Sequence, residues 1–189
     1  MVQVDSVGSR CRSVLRWSSH FGPMSPRHLP HLSTAAILSP GDRKALIASA
    51  RELRRAAAAG TLPRLLDGKH IGLLCGAQAG EDAALFERAA TELGARVSRI
   101  SPALSASLGE ESLTRTAQTL GRLYDAIECQ GLAGQLLQRV RAEAGVPVYD
   151  GSASAHHPSA ALVAALGEAD TAADNRRHLL QALLLSTMS

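Results

Sequence analysis

Residues 71–100 read IGLLCGAQAGEDAALFERAATELGARVSRI, and their pattern decides the fold. A short apolar run (71–75) is followed by a stretch with Ala, Leu and Phe at helical spacing (82–93). Gly94 stops that stretch, and a second strand-like run follows at 96–100. A helix carrying the chain between two short strands predicts parallel pairing, because parallel strands need a long crossover.

The alternation continues in both directions. Downstream come a Ser, Ala and Gly loop (101–109), a helix (112–123), a strand (126–129), a helix (132–144) ended by Gly145, and a strand (146–149). Upstream, Ser39-Pro40-Gly41-Asp42 offers an N-cap, a proline for the first helical position and an acid for the first turn. The helix predicted there runs to Gly60, and a turn at 65–69 leads into the first strand. Residues 159–169 have a helical pattern, and a last helix spans about 171–185, charged in its leading half and Leu-rich in its trailing half. The expected fold class is α/β: a three-layer domain with a small parallel sheet of about four strands flanked by helices. Ligands in such sheets bind beyond the carboxyl ends of the strands. Here those ends are residues 75–80, 101–109, 130–131 and 150–158.

Composition narrows the function classes. The chain has 189 residues, 46% hydrophobic and 20% charged, which is the balance of a folded globule. Arg10, Arg12, Arg16 and Arg27 face one acid, Asp5, within the first 27 residues; the remainder is formally neutral. A neutral domain with 3% aromatic residues lacks both the charge footprint and the stacking surface of a nucleic-acid binder. No apolar run has bilayer-spanning length. Cys11, Cys75 and Cys129 have no zinc-like spacing; Cys75 and Cys129 read as buried, inert thiols in a reducing cytoplasm. Residues 1–27 read as a disordered or mis-started tail, with Met24 as the expected start. The adjacent His156 and His157 have no third ligand in view, so neither a metal nor a cofactor is expected.

An ordered set of motifs resembles the ornithine/aspartate carbamoyltransferase family. Leu108-Gly109-Glu110-Glu111-Ser112-Leu113-Thr114-Arg115-Thr116-Ala117 is similar to the family stretch Leu-Gly-x-x-Ser-Leu/Ile-x-Asp-Thr-Ala. Gly145-Val146-Pro147-Val148-Tyr149-Asp150-Gly151 resembles its Val-Pro-Val-Ile-Asn-Gly, and His157-Pro158 falls at its His-Pro-x-Gln. Residues 66–74 resemble the Leu-x-Gly-Lys strand entry. The resemblance covers residues 28–168 and implies the carbamoyl phosphate-binding domain. Ala173-Asp174-Asn175-Arg176-Arg177-His178 is similar to the start of the family's terminal helix. Residues 169–189 are therefore expected to pack back on the domain as a C-terminal helix. The amino-acid-binding domain that separates these parts in the family has no counterpart in the sequence between them.

The resemblance also implies where a ligand pocket would lie. The family holds the donor with Ser-Thr-Arg-Thr-Arg at the start of the helix after the first strand, an Arg after the third strand, and the His and Gln of His-Pro-x-Gln. Ungapped alignment back from Phe86 and Gly94 places the first motif on Ala79, Gly80, Glu81, Asp82 and Ala83. The single Arg falls on Gln130 and the last Gln on Ala160, whereas His157 and Pro158 persist. An acid replaces a cation where a phosphate would sit, an inversion of sign. Glu81 and Asp82, like Glu110 and Glu111, also read as ordinary helix-start acids. The expectation is a vestigial pocket with no catalysis, in a cytoplasmic homo-trimer or a hetero-assembly with a full-length carbamoyltransferase. The rival readings are a subunit completing the sites of an active partner and a small-molecule domain retuned for a cationic or neutral ligand.

Overall fold

The computed structural model describes residues 38–75, 80–101, 109–167 and 171–188. Ala79 and the tail readings, Met24 and Cys11 included, lie outside them. Four strands, β1 (His70–Cys75), β2 (Arg96–Ile100), β3 (Ala126–Gln130) and β4 (Val148–Asp150), form one sheet in the order β2-β1-β3-β4. Every pairing is parallel. The α/β class and the four-stranded sheet are as expected. Helices α2 (Glu81–Glu92), α3 (Glu110–Leu123) and α4 (Gly134–Glu143) make the three crossovers. The chain leaves β1 toward β2 and returns to β3 on the other side of β1. The strand order therefore reverses between β1 and β3, where Cys75 lies in register with Gln130.

Side-chain alternation sends each strand into two cores. Ile71, Leu73, Ala126 and Tyr149 pack with α1 (Pro40–Ala58), α2 and α5 (Ala172–Met188). Leu74, Ile127, Cys129 and Val148 pack with α3 and α4. Ser39 caps α1, its Oγ accepting the Asp42 N–H at 3.1 Å. Gly94 and Gly145 follow α2 and α4 with φ of 98° and 70°, conformations that favour glycine after a helix.

The structure departs locally from the sequence reading. Residues Pro158–Leu166 form a 3₁₀ segment rather than an α-helix. Side chains of α1 satisfy its closing carbonyls: Arg51 donates to Ala165 O at 2.7 Å, and Arg54 to Leu166 O at 2.9 Å. Asn175 of α5 then donates to Gly167 O at 2.8 Å. Cys75 is only half-buried, unlike Cys129, because it ends its strand. Helix α5 is enclosed on nearly every side, from His178 through Leu185, by α1, α2 and the 3₁₀ segment. Its last turn reaches the sheet through a hydrogen bond between Tyr149 Oη and Thr187 Oγ1. Among the described residues no helix is long and apolar enough to cross a membrane.

The α3–α4 contact depends on a missing side chain. A Cβ on Gly121 would stand 1.7 Å from Ala144 O. Replacing Gly121 by Ala forces the helices apart and should destabilise the fold by about 1–3 kcal/mol, the usual cost of overpacking. That loss should outweigh the gain in helix propensity. A urea midpoint unchanged by Gly121→Ala would contradict the close approach.

Candidate functional site

The β1/β3 reversal is where an open α/β sheet forms a ligand crevice. The start of α2, the end of β3 and the loop after β4 meet around it. Gly80 is the N-cap of α2 and makes no side-chain cap hydrogen bond. Glu81 and Asp82 occupy the first turn; Glu81 is exposed and Asp82 half-exposed. Ala83, by contrast, is fully buried in the core shared with α1 and α5. A side chain there points away from solvent.

Gln130, at the tip of β3, is 5% exposed. Its Nε2 donates to Glu128 Oε1 at 3.3 Å, and its Oε1 has no hydrogen-bond partner among the described residues. The sequence reading passed over Glu128. It lies two residues before Gln130 on the same strand face and is wholly buried. Glu128 accepts the Ser152 N–H at 2.9 Å, and its second oxygen lies 2.8 Å from Ser152 Oγ. Burial pushes its carboxyl up to about 8, the hydrogen bonds from Ser152 and Gln130 pulling the other way. Glu128 is thus a neutral acid at neutral pH, tying β3 to the loop after β4.

His157 is buried at the end of that loop. Its Nδ1 accepts the Ser159 N–H at 3.2 Å and lies 2.7 Å from Ser159 Oγ, and burial lowers its basicity. The ring is neutral near pH 7, with its proton on Nε2. Pro158 is exposed and opens the 3₁₀ segment. Burial raises the pKa of both described thiols, Cys75 and Cys129, so neither is a ready nucleophile. Among the described residues no group of three or more His, Cys, Asp or Glu could hold a metal ion.

A cation reaches this region from α5. Arg176 Nη2 lies 3.2 Å from Asp82 Oδ1 and also donates to Ala153 O. Gln130, Glu128 and the Ser152–Ala153 loop are thereby linked to Asp82 through hydrogen bonds and one peptide step. The cavity beside Arg176, bounded by Ser152, Ser159 and Leu179, is about 10 Å³. That is room for a single water. A larger cavity, about 460 Å³, lies at the other end of α2 and includes Arg54, Glu92 and Arg177. The acids there are already engaged, Arg177 bridging Glu92 at 2.5 Å and Asp174 at 2.9 Å.

The Glu128 environment sets a pH dependence. In the unfolded chain this carboxyl ionises near its ordinary 4.5, and in the fold near 8. Its contribution to stability is complete below 4.5 and is lost as pH rises through about 8. Urea midpoints should therefore fall across that window more steeply in the native chain than in Glu128→Gln. Parallel profiles for the two proteins would show that Glu128 ionises normally.

Comparison with known proteins agrees with this fold. Residues 30–166 match the family described as aspartate/ornithine carbamoyltransferase, carbamoyl-P binding domain. The ornithine carbamoyltransferase of Actinobacillus pleuropneumoniae serotype 5b is 36% identical over 132 residues, covering 70% of this chain and 40% of the relative. The catabolic ornithine carbamoyltransferase of Burkholderia mallei is 41% identical over 118 residues, 62% of this chain and 35% of the relative. The chain thus spans about two-fifths of the length of these relatives. Among solved structures, the catalytic subunit of M. jannaschii aspartate transcarbamoylase shares the fold with a TM-score of 0.60 at 20% identity. That match covers 72% of this chain and 45% of the other. The Pyrococcus furiosus ornithine carbamoyltransferase gives 0.56 at 22% identity, over 67% and 40%. With its four-stranded parallel sheet and the match over most of its length, this chain belongs to the aspartate/ornithine carbamoyltransferase family and corresponds to the carbamoyl phosphate-binding domain.

Proposed function

We propose that this chain is a non-catalytic member of the family, one that keeps the donor-binding fold and serves as a binding or assembly partner. The observation that carries this reading is the charge at the start of α2. A phosphorylated donor carries negative charge, and its transfer chemistry needs forked cationic donors and helix-start N–H groups that stabilise it. Here the first turn of α2 presents Glu81 and Asp82 instead. The residue at the end of β3 is the uncharged Gln130, and burial keeps His157 neutral. Glu81 and Asp82 favour the helix itself, because carboxylates complement its N-terminal dipole. The same charges oppose an incoming phosphate.

The chain's internal arrangement points the same way. Only residues 167–171 separate the 3₁₀ segment from α5. We read that short connection as an internal deletion of the amino-acid-binding domain, with Arg51, Arg54 and Asn175 securing the join. A cytoplasmic protein that forms a homo-trimer, or joins a full-length carbamoyltransferase, fits a retained donor domain without its chemistry. Incubated with carbamoyl phosphate and either ornithine or aspartate, the purified chain should release phosphate no faster than buffer. Release that depends on the amino acid would overturn the reading.

A further inference from the structure

We propose that the exposed face of α1 is a docking surface for an acidic helix of a partner protein, gripped by Lys44, Arg51 and Arg55. The inference rests on the assembly role proposed above and names the chemistry of the partner. Positions 44, 48, 51 and 55 recur at helical spacing and fall in one narrow stripe. Leu46, Ala50 and Leu53 are buried on the opposite side of the same helix. Lys44, Ala48, Arg51 and Arg55 are all exposed, and the exposed Arg43 flanks them. At the helical rise per residue, the stripe from Lys44 to Arg55 is about 16 Å long.

Two features set this face apart from an ordinary solvated one. First, its charge is not cancelled. On the other helices Arg88 meets Glu92, Arg115 meets Glu111 and Arg139 meets Glu110. None of the ion pairs among the described residues includes Arg43, Lys44, Arg51 or Arg55. Arg51 and Arg55 are like charges one turn apart, which costs the helix stability until something neutralises them. Second, the guanidinium groups are held. Arg51 donates to Ala165 O at 2.7 Å, Arg55 to Arg51 O at 3.3 Å and Arg43 to Leu38 O at 3.1 Å. These carbonyls orient the side chains and leave their charge intact. Less rotamer freedom is then lost when a partner binds.

An acidic helix complements the stripe better than the other candidates. Carboxylates three and four residues apart on a helix share the spacing of the cations, and arginine grips a carboxylate through two parallel hydrogen bonds. The small Ala48, between Lys44 and Arg51, lets the partner approach closely. A membrane surface would need large apolar side chains on this face. The large exposed ones among the described residues are Leu65 and Leu123, neither of them on α1. Nucleic acid would need stacking aromatics and a wider basic footprint. The chain has 3% aromatic residues and is formally neutral beyond residue 27. Its own first 27 residues are basic and repel the stripe. In a second copy, the exposed acids that open α3 already face arginines.

The experiment follows the fluorescence anisotropy of a labelled Ala/Glu helical peptide, its carboxylates three and four residues apart, titrated with the full chain at low salt. A peptide of the same composition with its glutamates gathered at one end is the comparison. Native protein should bind the spaced peptide roughly tenfold tighter, and added salt should weaken the complex. Lys44→Gln combined with Arg55→Gln should weaken it roughly tenfold or more, since each change removes a charge-assisted hydrogen bond. Arg115→Gln combined with Arg122→Gln removes the same charge from α3 and should leave binding unchanged. A cooperative thermal melt shows that each variant is folded. The phosphate-release assay above decides the absence of catalysis separately, so either reading can fail without the other. No binding by native protein, equal binding of the two peptides, or an equal loss in the α3 variant would overturn the inference. So would tighter binding of a thymidine oligonucleotide or of phosphatidylserine vesicles.

Discussion

A parallel sheet with apolar side chains on both faces has to be covered twice, and on one face here the cover depends on α5. Among the described residues, helices α3 and α4 close the other face around Leu74, Ile127, Cys129 and Val148. On the α5 side, α1 and α2 contribute Leu46, Leu53, Phe86 and Ala89. Much of the remaining apolar surface comes from Leu179, Leu180, Leu183, Leu184 and Leu185. Burying one such leucine is worth about 1.5–3 kcal/mol. The fold therefore cannot dispense with α5.

Docking α5 has consequences for charge. Its leading half brings two adjacent arginines against α2, and α2 meets each with an acid at one of its ends. Arg176 contacts Asp82 in the first turn; Arg177 contacts Glu92 in the last. Gln181 adds a hydrogen bond to the second Glu92 oxygen at 2.9 Å. An acid at the start of α2 thus serves the packing of the last helix as well as the helix dipole.

Much of this was legible in the sequence because glycine stops and proline starts mark element ends directly. The capping side chain of Ser39 and the break at Gly94 needed no tertiary information. Glu128 was also within reach: in a period-2 strand it shares a face with Ala126 and Gln130, which makes it a buried acid rather than one residue of an apolar run. Ala83 could not be placed so readily. Motif alignment puts it in the pocket, whereas the turn of α2 puts its side chain in the core. The Arg176–Asp82 contact joins residues 94 apart and follows only from how α5 crosses α2. The partners of the closing carbonyls of Pro158–Leu166 likewise come from α1, more than a hundred residues away.

The account turns on whether the donor-binding fold still admits its donor. Calorimetric titration of the native chain with carbamoyl phosphate, carried to millimolar concentration, addresses this most directly. The account predicts heats of dilution only, because the start of α2 is acidic and its neighbouring arginine is already paired. A saturable heat would contradict it and return the chain to the carbamoyl phosphate-binding members of the family.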